Sequence, residues 1–71
     1  MMQSPLKIRV NGESHELREH ATVADLLVAL GHAGKRVAVE RNGEIVPRSR
    51  HQHTELAPDD QIEIVVAVGG G

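Results

Sequence analysis

The chain has 71 residues, 39% hydrophobic and 25% charged, with a formal net charge of −2. This is the composition of one small globular domain, which buries only about 60% of the surface that its unfolded chain exposes. Cys, Phe, Trp and Tyr are all absent, which excludes disulfides, thiolate metal sites and an aromatic platform for stacking bases. Since acidic and basic residues are interspersed and no apolar run could span a bilayer, we expect no nucleic-acid or membrane partner and a cytoplasmic location.

The first predicted elements are two strands joined by a tight turn. Leu6, Ile8 and Val10 alternate with basic residues, which places the apolar side chains on one face of a half-buried strand. Asn11-Gly12 tolerates the positive φ angles of a type I′ turn, and residues 14–17 return as the second strand. The sequence therefore predicts an antiparallel hairpin.

A single amphipathic helix follows. Its apolar residues have the spacing i, i+3, i+4 and i+7, and Thr22 precedes them as a natural N-cap. Asp25 places a negative charge in the first turn, and Gly31 can adopt the left-handed conformation that ends a helix. The stripe is formed by Val23, Leu26, Leu27 and Leu30.

The second half of the chain predicts three more strands. Residues 36–40 alternate, Asn42-Gly43 supplies another turn, and a short strand at 45–46 stops at Pro47. Residues 48–60 show little periodicity and predict a surface loop with one helical turn near 51–56.

The last predicted strand is the longest, and it runs directly into three glycines. Ile62, Ile64, Val66 and Val68 are predicted to face the helix. The element order predicts an α+β fold of the β-grasp (ubiquitin-like) type, a mixed sheet of four to five strands with one main helix. The first and last strands are then parallel neighbours in the centre of the sheet. We expect the domain to cover residues 1–68 with a short leader at 1–5, followed by a flexible glycine tail at 69–71.

Histidines and acidic pairs are the first candidates for chemistry. His51 and His53, with His15, His20 or His32, could in principle bind a metal, but no further ligand falls at a suitable spacing, so we interpret them as solvated polar residues and expect no metal. Asp59-Asp60 could be paired carboxylates, but their place before a strand favours turn formers that bond to nearby backbone amides. We expect no catalytic residue in this chain.

Gly69, Gly70 and Gly71 form the stronger candidate site. Three extended residues reach about 10 Å, and without Cβ atoms they can enter a narrow channel of a partner enzyme. A carboxylate becomes open to attack by sulfur or an amine once it is activated as an acyl-adenylate, which requires a partner that supplies ATP. Without Cys, the only place for carried sulfur is the C-terminal carboxylate, as a thiocarboxylate.

Several segments together resemble the ThiS family, the sulfur carriers of thiamine biosynthesis. Four segments carry the resemblance, and the segment 39–48 is the most discriminating of them. They are Val10-Asn11-Gly12, the helix start 22–27, the ending 68–71, and the segment 39–48. The third glycine and the unmatched leader 1–5 depart from the family pattern.

The resemblance implies that Gly71 is adenylylated by an E1-like, ThiF-like adenylyltransferase. A cysteine desulfurase or another sulfur donor then provides the sulfur for a 1-thioglycine at Gly71, which is delivered to a ThiG-like thiazole synthase. No bound cofactor is implied, and if the tail were processed, Gly70 would react instead. Three alternatives stay open: the small subunit of molybdopterin synthase, a ubiquitin-like modifier joined to target lysines, and a purely structural interaction module in which deleting the glycines has no consequence.

A docking surface is expected beside the tail. If alternate residues of the last strand face the helix, Val65 and Ala67 point to the opposite face, where nothing in so short a chain covers them. We therefore predict that Val65 and Ala67 are exposed and form a docking patch for partners, with Arg9 on the adjacent strand at its rim.

Overall fold

A computed structural model of the protein describes residues 5–67. The five strands form one sheet in the order β2-β1-β5-β3-β4, in which β1 and β5 are parallel and the other pairs antiparallel. This confirms the predicted β-grasp fold. The elements are β1 (Leu6–Val10), β2 (Glu13–Leu17), α1 (Val23–Ala29), β3 (Val37–Arg41), β4 (Glu44–Val46), a 3-10 helix (Arg48–Arg50) and β5 (Gln61–Val66). The predicted leader covers residues 1–5, of which only Pro5 is described. The predicted glycine tail at 69–71 lies outside the described residues.

Both predicted hairpin turns are present. Asn11 and Gly12 have φ angles of 50° and 84°, and Asn42 and Gly43 have 51° and 87°. Positive φ at both central positions is what a type I′ turn requires, and its twist matches that of the flanking strands. These turns fix the registers of β1 with β2 and of β3 with β4.

The helix begins and ends where its sequence signals place it. The Thr22 side chain accepts a hydrogen bond from the Asp25 amide at 3.2 Å, and the Asp25 carboxylate accepts one from the Thr22 amide at 2.9 Å. This capping box satisfies two donors that the first turn leaves free. Gly31, with φ 78°, follows the helix.

The core lies between α1 and one face of the sheet. With no aromatic side chain available, it is built from many small contacts, and its most deeply buried large side chains come from three strands and the helix. Those side chains are Ile8, Val23, Leu26, Val39 and Ile62.

The segment between β4 and β5 differs from the prediction. Its helical turn lies at Arg48–Arg50, immediately after Pro47, instead of near 51–56, and His51 and Leu56 are buried. The loop is held against the start of α1 because the Val23 amide donates to the Thr54 carbonyl and the Leu56 amide to the Ala21 carbonyl. Most of the segment lies at the surface, as predicted. These long-range backbone bonds carry no local sequence signal, so the predicted place of the helical turn is wrong and the burial of His51 and Leu56 is not predicted.

The last strand also ends differently. Ile62 and Ile64 are buried as predicted, but Val66 is 38% exposed, and Val68 lies outside the described residues. The parallel pairing of β1 with β5 covers only Arg9 opposite Gln61 and Val10 opposite Ile62. Beyond that point only β3 pairs with β5 among residues 5–67, so the predicted burial of Val66 is wrong.

Candidate functional site: the root of the glycine tail

The three candidate residues Gly69, Gly70 and Gly71 lie outside the described residues, but the strand that leads to them is well defined. β5 is in the middle of the sheet, and the Ala67 amide donates to the Arg36 carbonyl at 2.9 Å. The ladder with β3 therefore extends to the last described residue. The tail starts from a position that the sheet fixes.

Both hairpin asparagines bond β5 as well as forming turns. Asn11 Oδ1 accepts from the Ile64 amide at 2.9 Å, and its Nδ2 donates to the Ile64 carbonyl at 3.2 Å. On the other side, Asn42 Oδ1 accepts from the Gln61 amide at 2.9 Å. The side-chain amide carries a donor and an acceptor on two separate atoms, as a backbone peptide group does, so Asn11 continues the parallel ladder where β1 ends. The Asn-Gly pattern predicts the turns but not this role of the asparagine side chains.

The predicted exposure beside the tail is confirmed. Val65 is 65% exposed and Ala67 is also exposed. The structure adds two residues that the sequence analysis missed: Ala38, which pairs with Val65, and Ile45, which is 73% exposed on the neighbouring edge strand. We call Ala38, Ile45, Val65 and Ala67 the outer-face patch.

The expected rim of this patch is wrong. Arg9 lies opposite Gln61, four residues before Val65 and therefore about 13 Å away along the strand. Arg36 lies opposite Ala67, at the end of the patch next to the tail. At the other end the nearest charges are Glu40 and Glu63, which face each other across β3 and β5. The patch thus has an acidic border on this side.

A buried carboxylate holds the start of β5 in place. Asp60 is 5% exposed and accepts hydrogen bonds from Arg41 Nε at 2.8 Å, Asn42 Nδ2 at 3.0 Å and the Ala57 amide at 2.8 Å. We call this group the Asp60 clamp. Burial raises the pKa of the Asp60 carboxyl, but the hydrogen bonds from Ala57, Asn42 and Arg41 outweigh it and hold the pKa below its usual value. Asp59 has φ 67° and is exposed, so the two neighbouring carboxylates do not act as a pair.

The histidines do not assemble a metal site within the described part of the chain. His51 is buried and its Nε2–H donates to the Val46 carbonyl at 3.1 Å, whereas His53 is exposed. Among residues 5–67, no three His, Cys, Asp or Glu side chains come together as metal ligands would. The interpretation of all five as solvated residues is wrong for His51, because its ring is used to fasten the loop to β4.

Comparison with known proteins decides the family. A model of the ThiS family matches residues 8–71. The chain belongs to the ThiS family. It is 40% identical over 65 residues to the sulfur carrier protein ThiS of Bacillus subtilis, covering 90% of this chain and 98% of that protein. The crystal structure of the thiamine biosynthesis protein ThiS from Geobacter metallireducens superposes with a TM-score of 0.77 at 33% identity, covering 93% of this chain and 100% of that one.

ThiS-like sequence also occurs within larger proteins. The chain is 46% identical over 66 residues to a thiazole synthase of Magnetococcus marinus, and this alignment covers 93% of the chain. The chain spans only 20% of the length of that protein, and 20% of a second thiazole synthase, from Paramagnetospirillum magneticum. The ThiS matches favour the thiamine interpretation over the small subunit of molybdopterin synthase. Within residues 5–67, no helix is long and apolar enough to cross a membrane.

Proposed function

We propose that this protein is a sulfur carrier of thiamine biosynthesis and not itself a catalyst. The observation that carries this proposal is the ThiS family match, which extends through the glycine tail to residue 71. Support comes from the Bacillus subtilis relative, which bears the name sulfur carrier protein and is matched over nearly its whole length.

The carried sulfur is placed on Gly71. In the proposed reaction, the Gly71 carboxylate attacks the α-phosphate of ATP and pyrophosphate leaves, which gives an acyl-adenylate. The outer sulfur of the donor's persulfide then attacks the acyl carbon and AMP leaves, which gives an acyl disulfide. A thiol reductant cleaves its S–S bond and is oxidised to a disulfide, so that a thiocarboxylate remains at Gly71. Gly69 and Gly70 allow the tail to enter a narrow channel because they carry no Cβ. ATP is held by the adenylating partner, and this requirement supports a cytoplasmic location.

Three partners follow from this chemistry. A ThiF-like adenylyltransferase activates the carboxylate, a cysteine desulfurase or other donor supplies the sulfur, and a ThiG-like thiazole synthase receives it. A link to thiazole synthase is supported by two proteins of that name, which contain a segment similar to this chain. In these relatives the similar segment and the rest of the thiazole synthase belong to one chain. We infer that this protein contacts a separate thiazole synthase in a corresponding way.

The outer-face patch is the proposed docking surface for these partners. Its apolar side chains project from the sheet face opposite α1, immediately before the tail that a partner must hold. Apolar contacts at this position would fix the tail in a partner channel, and Glu40 and Glu63 would favour a basic residue at the border.

The tail proposal is tested by mass spectrometry of the 71-residue chain after incubation with the adenylyltransferase, ATP, the sulfur donor and a thiol reductant. We expect one oxygen of the terminal carboxylate to be replaced by sulfur. Gly70→Val should block this reaction because a β-branched side chain cannot enter a narrow channel, with little change in the melting temperature. Adding one bulky residue after Gly71 should have the same effect. Modification at any other position, or isopeptide conjugates to lysines in cells, would instead favour a protein modifier.

The patch proposal is tested separately, by calorimetric binding. Val65→Asp should weaken binding to the adenylyltransferase and to the thiazole synthase by about tenfold or more, equivalent to about 1.4 kcal/mol. The fold should remain intact because Val65 is mostly exposed. Ser14→Asp is the matched control, since Ser14 is an exposed residue of β2 at the far side of the sheet. Equal affinities of both variants for both partners would remove the patch from the proposal.

A further inference from the structure

A second surface, separate from the outer-face patch, lies on the helical side of the molecule. It is a groove of about 680 Å³ between the C-terminal end of α1 and the 3-10 helix. Its apolar part includes Leu27, Val37 and the exposed Val28. The volume is within the range of sites that hold small ligands or short segments of a partner.

The charges that line this groove are all of one sign. Lys35, Arg36 and Arg48 contribute to its wall, and none of its lining residues is Asp or Glu. This differs from the chain as a whole, which has a net charge of −2. None of the three cations takes part in the ion pairs formed among residues 5–67. Their charge is therefore available to an anionic ligand.

One polar atom in the groove wall lacks a partner. His32 lines the groove, and its Nδ1 is buried without a hydrogen-bond partner among the described residues. Buried polar atoms are nearly always bonded, and an unpaired one destabilises the fold.

We propose that this cationic groove binds an acidic segment of a protein partner, one that also carries an apolar side chain. A free inorganic anion would use the cations but leave Leu27, Val28 and Val37 uncovered, whereas an acidic and apolar segment uses both. The groove lies close to Ala67, the last described residue before the tail, because Val37 in its wall pairs with Val66. The proposal goes beyond the sulfur-carrier function and does not depend on it.

The probe is a terminally blocked hexapeptide of alternating leucine and glutamate, titrated into the ¹⁵N-labelled 71-residue chain. We expect saturable amide shifts in residues 33–37 and 48–52 that weaken as salt is added, because the charges at the rim are screened. The same peptide with lysine in place of glutamate should cause no such shifts. Arg48→Glu should weaken binding of the acidic peptide by about tenfold or more.

Arg50→Glu is the matched control. Arg50 belongs to the same 3-10 helix but lines a different cavity, of about 310 Å³. An equal loss in both variants would indicate a general charge effect and overturn the proposal. It would also be overturned by absence of shifts in the groove at millimolar peptide, or by inorganic pyrophosphate binding the groove as tightly as the peptide. Thiocarboxylate formation at Gly71 is measured independently, so failure here leaves that function untouched.

Discussion

Replacing Asp60 by Asn removes the charge of the clamp and keeps the shape of the side chain. The carboxylate accepts hydrogen bonds from Arg41, Asn42 and Ala57. An amide offers one oxygen and one NH₂ group, so at least one of these donors then faces another donor. Asn42 cannot relieve the conflict by turning its amide, because its Oδ1 already accepts from the Gln61 amide.

We expect Asp60→Asn to lower the free energy of unfolding at pH 7 by about 2–4 kcal/mol. This combines a weakened charge-assisted hydrogen bond with a buried donor left unpaired. The total stability of a domain of this size is on the order of 4–10 kcal/mol, so the loss is large. Urea denaturation of the wild type and the variant measures it directly.

The pH dependence of this difference has a definite sign. Because the pKa of the folded Asp60 is lowered, its contribution is fully present above the unfolded value of about 3.9 and is lost as the pH falls through the folded value. Asn does not titrate. The difference in stability between the two proteins should therefore be constant from pH 7 to about pH 5 and shrink below about pH 4.

Asp59→Asn is the control for this experiment. Asp59 is exposed and has φ 67°, a conformation that Asn also tolerates. We expect this variant to differ from the wild type by less than about 0.5 kcal/mol. If Asp60→Asn were equally mild, or if its cost did not change between pH 7 and pH 3, the assigned role of the clamp would be wrong.

Three further substitutions test other parts of the fold. Asn11→Asp keeps the turn but sets a carboxylate oxygen against the Ile64 carbonyl, so it should cost about 1–2 kcal/mol and speed amide hydrogen exchange in β5; unchanged exchange would contradict the ladder role. Thr22→Ala removes a helix cap and should cost about 1 kcal/mol, a fall of roughly 4–8 °C in Tm by calorimetry. Glu63→Gln relieves repulsion from Glu40 across the sheet and should raise stability by about 0.2–1 kcal/mol, less at high salt; a loss of stability would refute the repulsion.

Local patterns predicted most of the strands and the helix because their causes are local. Alternation in β1, the two Asn-Gly turns and the Thr22 cap each require only neighbouring residues. The misplaced helical turn and the exposure of Val66 were not predictable in this way. They depend on which segments meet across the fold, such as Thr54 with the start of α1.

The same limit applies to the candidate site. Period-two alternation was enough to predict that Val65 is exposed, whereas Ala38 and Ile45 join it only through the pairing of β3 with β5 and β4. The second function of Asn11 has a faint signal, because Asn-Gly and Asp-Gly serve the turn equally well but only an amide can bond both backbone groups of Ile64. No sequence signal predicts the cationic groove, since its residues come from three separate segments.

The position of Ala67, the last described residue before the tail, limits where partners can make contact. Ala67 is still bonded to β3, and Gly71 follows it by four residues, which reach about 13 Å when extended. A partner whose reactive group meets Gly71 must therefore also approach the surface close to Ala67. Both the outer-face patch and the end of the cationic groove at Val37 border this point, on opposite faces of the sheet. A partner that grips the tail while touching only one of them leaves the other face free for a second protein.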